Sequence, residues 1–123
     1  MKGIGAFEML TDVNLSANVI ERIEDLANLK LLRKLDLSCN KIRVISSLRG
    51  LNSLTILNLS GNKIASMQPL EDFTTSSSKL KEIDLSGNSL HDLSELKVLP
   101  KIKTLIEATF HVDDDFSNPF CRD

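Results

Sequence analysis

The 123-residue chain has no Trp and no Tyr, and its aromatic content is five Phe. Any interior must therefore be aliphatic, built from leucine and isoleucine. Cysteine is scarce: Cys39 lies mid-chain and Cys121 near the C-terminus. Neither belongs to a C-x-x-C pair of the zinc or redox type. The clustered cysteines that staple secreted domains are missing, which points to a reducing compartment. No apolar run approaches the roughly 20 residues of a membrane-crossing helix. Met1–Met9 has no apolar stretch like that of a secretory leader. Strong charge of either sign is also lacking, since 15 basic and 17 acidic side chains leave a formal −2. Phosphate binding needs a basic surface, so nucleic acid is excluded as the main partner. No glycine loop of the phosphate-cradling kind is present.

What the chain does have is a phrase used four times. Leu32-x-x-Leu35-x-Leu37-x-x-Asn40 recurs from Leu10, from Leu54 and from Leu80. Within it the last two leucines alternate with polar residues, the period of a strand with one buried face. Beyond the asparagine the apolar spacing becomes three, as in Ile42, Ile45, Leu48 and Leu51 or Ile20, Ile23, Leu26 and Leu29. Three is the period of a 3₁₀ helix. Each unit is thus a strand, a turn and a tight return that closes one coil. The apolar anchors of a lone coil cannot offset the entropy of ordering it, so the coils must stack.

Four near-perfect copies resemble the leucine-rich repeat. The fold expected from that resemblance is an α/β right-handed solenoid. A parallel β-sheet lines its concave face, and 3₁₀ or short helices line its convex face. Asn18, Asn40, Asn62 and Asn88 are read as inward amides that bond the backbone of their own and the adjacent coil, with no ligand role. Repeat starts fall at Leu10, Leu32, Leu54, Leu80 and Ile102, in steps of 22, 22, 26 and 22 residues. The extra residues of the third step lie in the polar run Thr74–Lys79, expected to be a solvated loop. Pro69 fits the first turn of a short helix, and Pro100 fits a helix-to-strand corner.

The expected organisation is a solenoid over 1–107, followed over 108–123 by an acidic loop and the start of a C-terminal cap. The solenoid comprises a partial first coil, four regular repeats and the start of a fifth. Ile4, Phe7 and Leu10 repeat the end of a coil, so Met1–Met9 is expected to be either a minimal cap or, the favoured alternative, the continuation of an upstream part of that coil. The fifth unit reads Ile102-x-x-Leu105 and then fails, with Glu107 at a core position and Phe110 at the asparagine position. A carboxylate is costly to bury, so the regular coils are expected to end near Leu105 or Ile106.

Strand side chains that point outward on the concave sheet are the expected binding surface. The third positions are Asp12, Lys34, Ile56, Glu82 and Thr104; the fifth positions are Asn14, Asp36, Asn58, Asp84 and Ile106. The candidate protein-binding residues are Asp12, Asn14, Lys34, Asp36, Ile56, Asn58, Glu82 and Asp84. Ile56, apolar and central, is a candidate hot spot. The mainly acidic array suits a basic or mixed-charge segment of another protein. Uncovered solenoid ends leave self-association open. Ser16, Ser38, Ser60 and Ser86 are expected to bond locally at the turn. The sequons at Asn14 and Asn58 fall inside strands and are chance matches. His91, and His111 with Asp113, Asp114 and Asp115, are read as solvated rather than as metal ligands. Cys39 stands where other repeats have Ala17, Gly61 and Gly87, so small size explains it. No cofactor and no catalytic group is expected.

The 22-residue spacing with Ile at the convex anchors resembles the short intracellular leucine-rich repeat class that includes a regulator of protein phosphatase 1. Asn118-Pro119-Phe120-Cys121-Arg122 is similar to the opening of that class's cap. The extended repeat before Ile83-Asp84-Leu85, with the acidic stretch before Arg122, also resembles the N-terminal domain of the leucine-rich repeat and coiled-coil centrosomal protein family. These resemblances imply a non-enzymatic scaffold in the cytoplasm, at centrosome, cilium or cytoskeleton. The alternatives are a phosphatase-regulating or signalling adaptor and, further off, an RNA-associated repeat protein.

Overall fold

The structure is a computed structural model and describes residues 3–45, 48–75, 77–90 and 92–109. The readings made for His91, His111, Asp113–Asp115 and Asn118–Arg122 lie outside the described residues. Five strands of three residues form one parallel sheet: β1 (Asp12–Asn14), β2 (Lys34–Asp36), β3 (Ile56–Asn58), β4 (Glu82–Asp84) and β5 (Glu107–Thr109). They lie side by side in sequence order. Their register aligns Val13, Leu35, Leu57, Ile83 and Ala108 in one row.

That row and the leucine two residues on form the sheet side of the core. Leu35, Leu37, Leu57, Leu59, Ile83 and Leu85 are all buried, as are the return residues Ile23, Leu26, Ile45, Leu48, Met67 and Leu70. The spacing of three in the returns is borne out as an inward-facing pattern. It is a helix only in part. The third return holds a 3₁₀ helix at Gln68–Phe73 with Pro69 in its first turn, and the fourth holds one at Leu93–Lys101. Among their described residues the first two returns are turns, joined by a parallel bridge between Arg22 and Val44. Asp25 (φ 59°) and Gly50 (φ 86°) adopt left-handed backbone there, which no right-handed helix can continue through. Isolated turns finish the path: Leu29 N–H donates to Leu26 O and Leu32 N–H to Leu29 O, at 2.9 and 3.1 Å.

Three of the four asparagines bridge coils as expected, and Asn18 does not. The Asn62 side-chain amide donates to Leu37 O, Leu59 O and Ser60 O, while its Oδ1 accepts from Ile42 N–H at 3.0 Å. Asn40 and Asn88 repeat the pattern one coil earlier and later. Asn18 reaches only Leu15 O and Ser16 O of its own coil, and it is exposed.

Three expectations need correction. First, the fifth unit begins at Leu105, not Ile102: Glu107 pairs in register with Glu82, and Ala108 with Ile83. Glu107 is an exposed outward residue and carries no burial cost. The step from Ile83 to Ala108 is 25 residues because the Leu93–Lys101 helix lengthens the return. A division after residue 107 falls inside β5. Second, Phe7 is no inward anchor, being 62% exposed. The short Ile4–Ala6 3₁₀ turn sits instead on Asp25, whose Oδ2 accepts from Gly3 N–H and Gly5 N–H at 2.9 and 3.2 Å. A Cβ on Gly5 would lie 2.5 Å from the Asp25 carboxylate, so this approach requires glycine. Third, the polar insertion is not wholly solvated. Ser78 is buried, and its Oγ accepts from Leu80 N–H, preparing the chain for β4.

Candidate functional site

The concave columns follow from the strand register. Asp12, Lys34, Ile56, Glu82 and Glu107 occupy one row, and Asn14, Asp36, Asn58, Asp84 and Thr109 the other. Thr104 and Ile106, expected in these rows, are not there. Thr104 Oγ1 donates to Leu80 O at 2.6 Å just before the strand, and Ile106 precedes Glu107 with 79% of its surface exposed. Sequence reasoning missed Glu107. The signal that would have found it is Leu105-x-x-Ala108, a copy of the phrase with a small residue at its core position. With Glu107 in place, five carboxylates and one lysine share the ten positions, a formal −4.

The two rows are chemically different. In the second row the side chain of the last residue of β1 to β4 bonds the serine two positions on. Asn14 Oδ1 accepts from Ser16 N–H (2.9 Å) and Ser16 Oγ–H (2.6 Å). Asp36 does so with Ser38, Asn58 with Ser60 and Asp84 with Ser86. One side-chain oxygen suffices, which is why Asn and Asp interchange at this position. These four residues cap the strand exits, and only their second oxygen or amide faces outward. The first row makes no such bond and is the freer of the two.

Six of the eight expected residues line a single open groove of about 340 Å³: Asp12, Asn14, Lys34, Asp36, Ile56 and Asn58. Val13 and Leu35 complete its lining. Glu82 and Asp84 continue the rows beyond it. Ile56 is half-buried, ringed by Lys34, Asp36, Asn58 and Glu82 through the strand register.

The turn after each strand has a backbone reason for its small residues. Ala17, Cys39, Gly61 and Gly87 all have φ between 56° and 67°. Left-handed backbone is needed there, so size alone does not explain Cys39. Cys39 is disulfide-bonded, which the expectation of a reducing compartment does not anticipate; Cys121 lies outside the described residues. Among the described residues no group of three or more His, Cys, Asp or Glu is arranged to hold a metal ion, and no helix is long and apolar enough to cross a membrane.

Comparison with known sequences adds the family. Residues 8–64 and 79–100 match the leucine rich repeat. The chain belongs to the leucine-rich repeat family. The unmatched stretch between the two regions contains the long third return. No curated protein matches this sequence. Among solved structures the repeats are similar to an internalin (inlF) from Listeria monocytogenes, with a TM-score of 0.76 and 24% identity. The match covers 90% of this chain and 32% of the internalin. Internalin C2 of the same organism matches at 0.74 and 28% identity, over 88% of this chain and 45% of that one. The Drosophila melanogaster SNF/U2A′ complex matches at 0.64 and 28% identity, over 79% and 55%. This chain therefore spans about a third to about half the length of these structures. Leucine-rich repeat domains are in general protein-interaction modules without enzymatic activity.

Proposed function

We propose that this leucine-rich repeat protein is a non-enzymatic binding module whose concave sheet grips a basic or mixed-charge segment of another protein. The observation that carries this reading is the groove around Ile56. It combines a half-buried aliphatic floor with Asp12, Lys34 and Asp36 in its lining and Glu82 next along the row from Ile56. An apolar anchor encircled by polar groups is where an interface concentrates its energy. The acids Asp12, Glu82 and Glu107 would steer a cationic segment toward it. Ile56→Glu puts a charge on that floor while touching no core row. A pulldown with the full-length protein should lose its partner with this variant, while thermal unfolding stays within a few degrees. Full recovery of the partner by a folded Ile56→Glu protein would overturn the reading.

The resemblance to the centrosomal family supports a finer reading, a scaffold at centrioles, cilia or cytoskeleton. The phosphatase-regulator class supports the adaptor alternative. The likeness to the SNF/U2A′ complex supports an assembly role and gives weak support to an RNA-associated one. We favour the scaffold. Proximity labelling with the full-length protein should mark centriolar proteins; marking of a phosphatase catalytic subunit instead would favour the adaptor. A cytoplasmic site also requires Cys39 to be reduced in cells, because stable disulfides are rare there. Alkylation of acid-quenched protein reads this directly, and a protected Cys39 would exclude the cytoplasm.

A further inference from the structure

We propose that the side of the solenoid from which the strands begin is a second interaction surface, one that takes an acidic peptide segment. Backbone bonds define this side. Arg33 N–H donates to Thr11 O, Thr55 N–H to Arg33 O, Lys81 N–H to Thr55 O and Ile106 N–H to Lys81 O, all at 2.7–2.8 Å. Arg33 and Lys81 therefore stand two coils apart along one edge, with Thr55 between them. Lys30 joins Arg33 in the second coil, and Lys79 joins Lys81 in the fourth. Lys103 lies in the fifth, which the bond from Thr104 Oγ1 to Leu80 O holds against the fourth. All five cations are exposed.

None of the five pairs with a described carboxylate. Among the described residues the one ion pair is Arg49 with Asp72, at 3.7 Å. Lys30 Nζ makes a long bond to Gly50 O, at 3.4 Å, and nothing more. Glu8, in the first coil, is the acid on this edge. A protein of net charge −2 thus keeps a row of unpaired cations on one flank and five carboxylates on the adjoining concave face. Such separation creates a local field opposite in sign to the whole molecule, which attracts and orients an anionic partner. Coils stack about 4.8 Å apart, so Arg33 and Lys81 are about 10 Å apart, within the span of about four extended residues.

The partner's chemistry follows from what adjoins the ridge. Asp12, Glu82 and Glu107 border it on the concave face, and they would repel the uniform charge of a nucleic acid. Base stacking needs exposed aromatic rings. The chain has neither Trp nor Tyr; among the described residues Phe73 is buried and Phe7 is a single exposed ring, too little for a stacking platform. A peptide can present carboxylates to the ridge and neutral residues to the acids.

The test is fluorescence anisotropy of the full chain with a labelled Glu-Ser repeat peptide, a neutral Gln-Ser counterpart and a single-stranded RNA of equal length. The Glu-Ser peptide should bind more tightly than the neutral one, and its affinity should fall as salt is raised. The double variant Lys79→Glu/Lys81→Glu should weaken it at least about tenfold. Lys63→Glu, an exposed lysine on the opposite flank, should leave it within about twofold. If the double variant does not fold, Lys103→Glu alone should still weaken binding severalfold. The proposal is overturned if the neutral peptide binds equally well, if Lys63→Glu costs as much as the ridge variants, or if RNA binds more tightly through the same lysines.

Discussion

At the scale of single residues, burial decides what a side chain is worth. Asn62 and Asn18 hold the same place in the repeat, yet Asn62 is 6% exposed and joins two coils, whereas Asn18 serves only its own turn in contact with water. Asn62→Ala leaves three carbonyls and the Ile42 N–H without this partner in the interior. We expect a loss of about 1–3 kcal/mol, toward the upper end, because unmet buried groups carry their full desolvation cost. Asn18→Ala should cost about 0.5–1 kcal/mol, since water replaces the amide. Urea unfolding of both variants measures the difference. Equal losses would mean that inter-coil bridging contributes little.

At the scale of elements, the strands are short and nearly identical, and the returns differ. The fourth return is helical because Asp92 caps it: its Oδ1 accepts from Ser94 N–H at 2.8 Å. The bonds from Ser94, hydroxyl first and backbone N–H second, hold the Asp92 carboxyl below its ordinary value of 3.8, and Lys97 adds to this. A carboxyl lowered in the folded state stabilises that state above its unfolded value. The contribution is lost as pH falls through the lower folded value. Asp92→Asn should therefore show a smaller drop in stability between neutral pH and acid below 3.8 than the parent. Thermal melts across that range check it, and parallel curves for parent and variant would exclude the cap as the titrating element.

At the scale of the whole molecule, stability is shared between neighbouring coils. Leu57 is fully buried in the central strand and touches the coil on either side through the row Leu35, Leu57, Ile83. Leu57→Ala should cost about 2–5 kcal/mol. Val13 ends the same row half-buried, and Val13→Ala should cost well under half as much. Hydrogen exchange should report the same asymmetry, with amides of β1 exchanging faster than those of β3. Comparable protection at both strands would mean that the first coil is supported by something other than the second.

The repeated phrase by itself determined the coil, the parallel sheet, the inward leucines and three of the four asparagines, and the outward rows as far as Asp84. These follow from local periodicity, and a period copied four times leaves one way to stack. Tertiary structure decided the rest. The fifth strand starts three residues later than the Ile102 pattern suggests, because apolar spacing cannot reveal how many residues a helical return consumes. The spacing of three marked which return residues face inward, but left-handed backbone at Asp25 and Gly50 decided that no helix runs through those two positions. The sorting of acids onto the face and unpaired lysines onto the flank emerges only when residues about 22 apart in sequence are stacked a single coil apart in space.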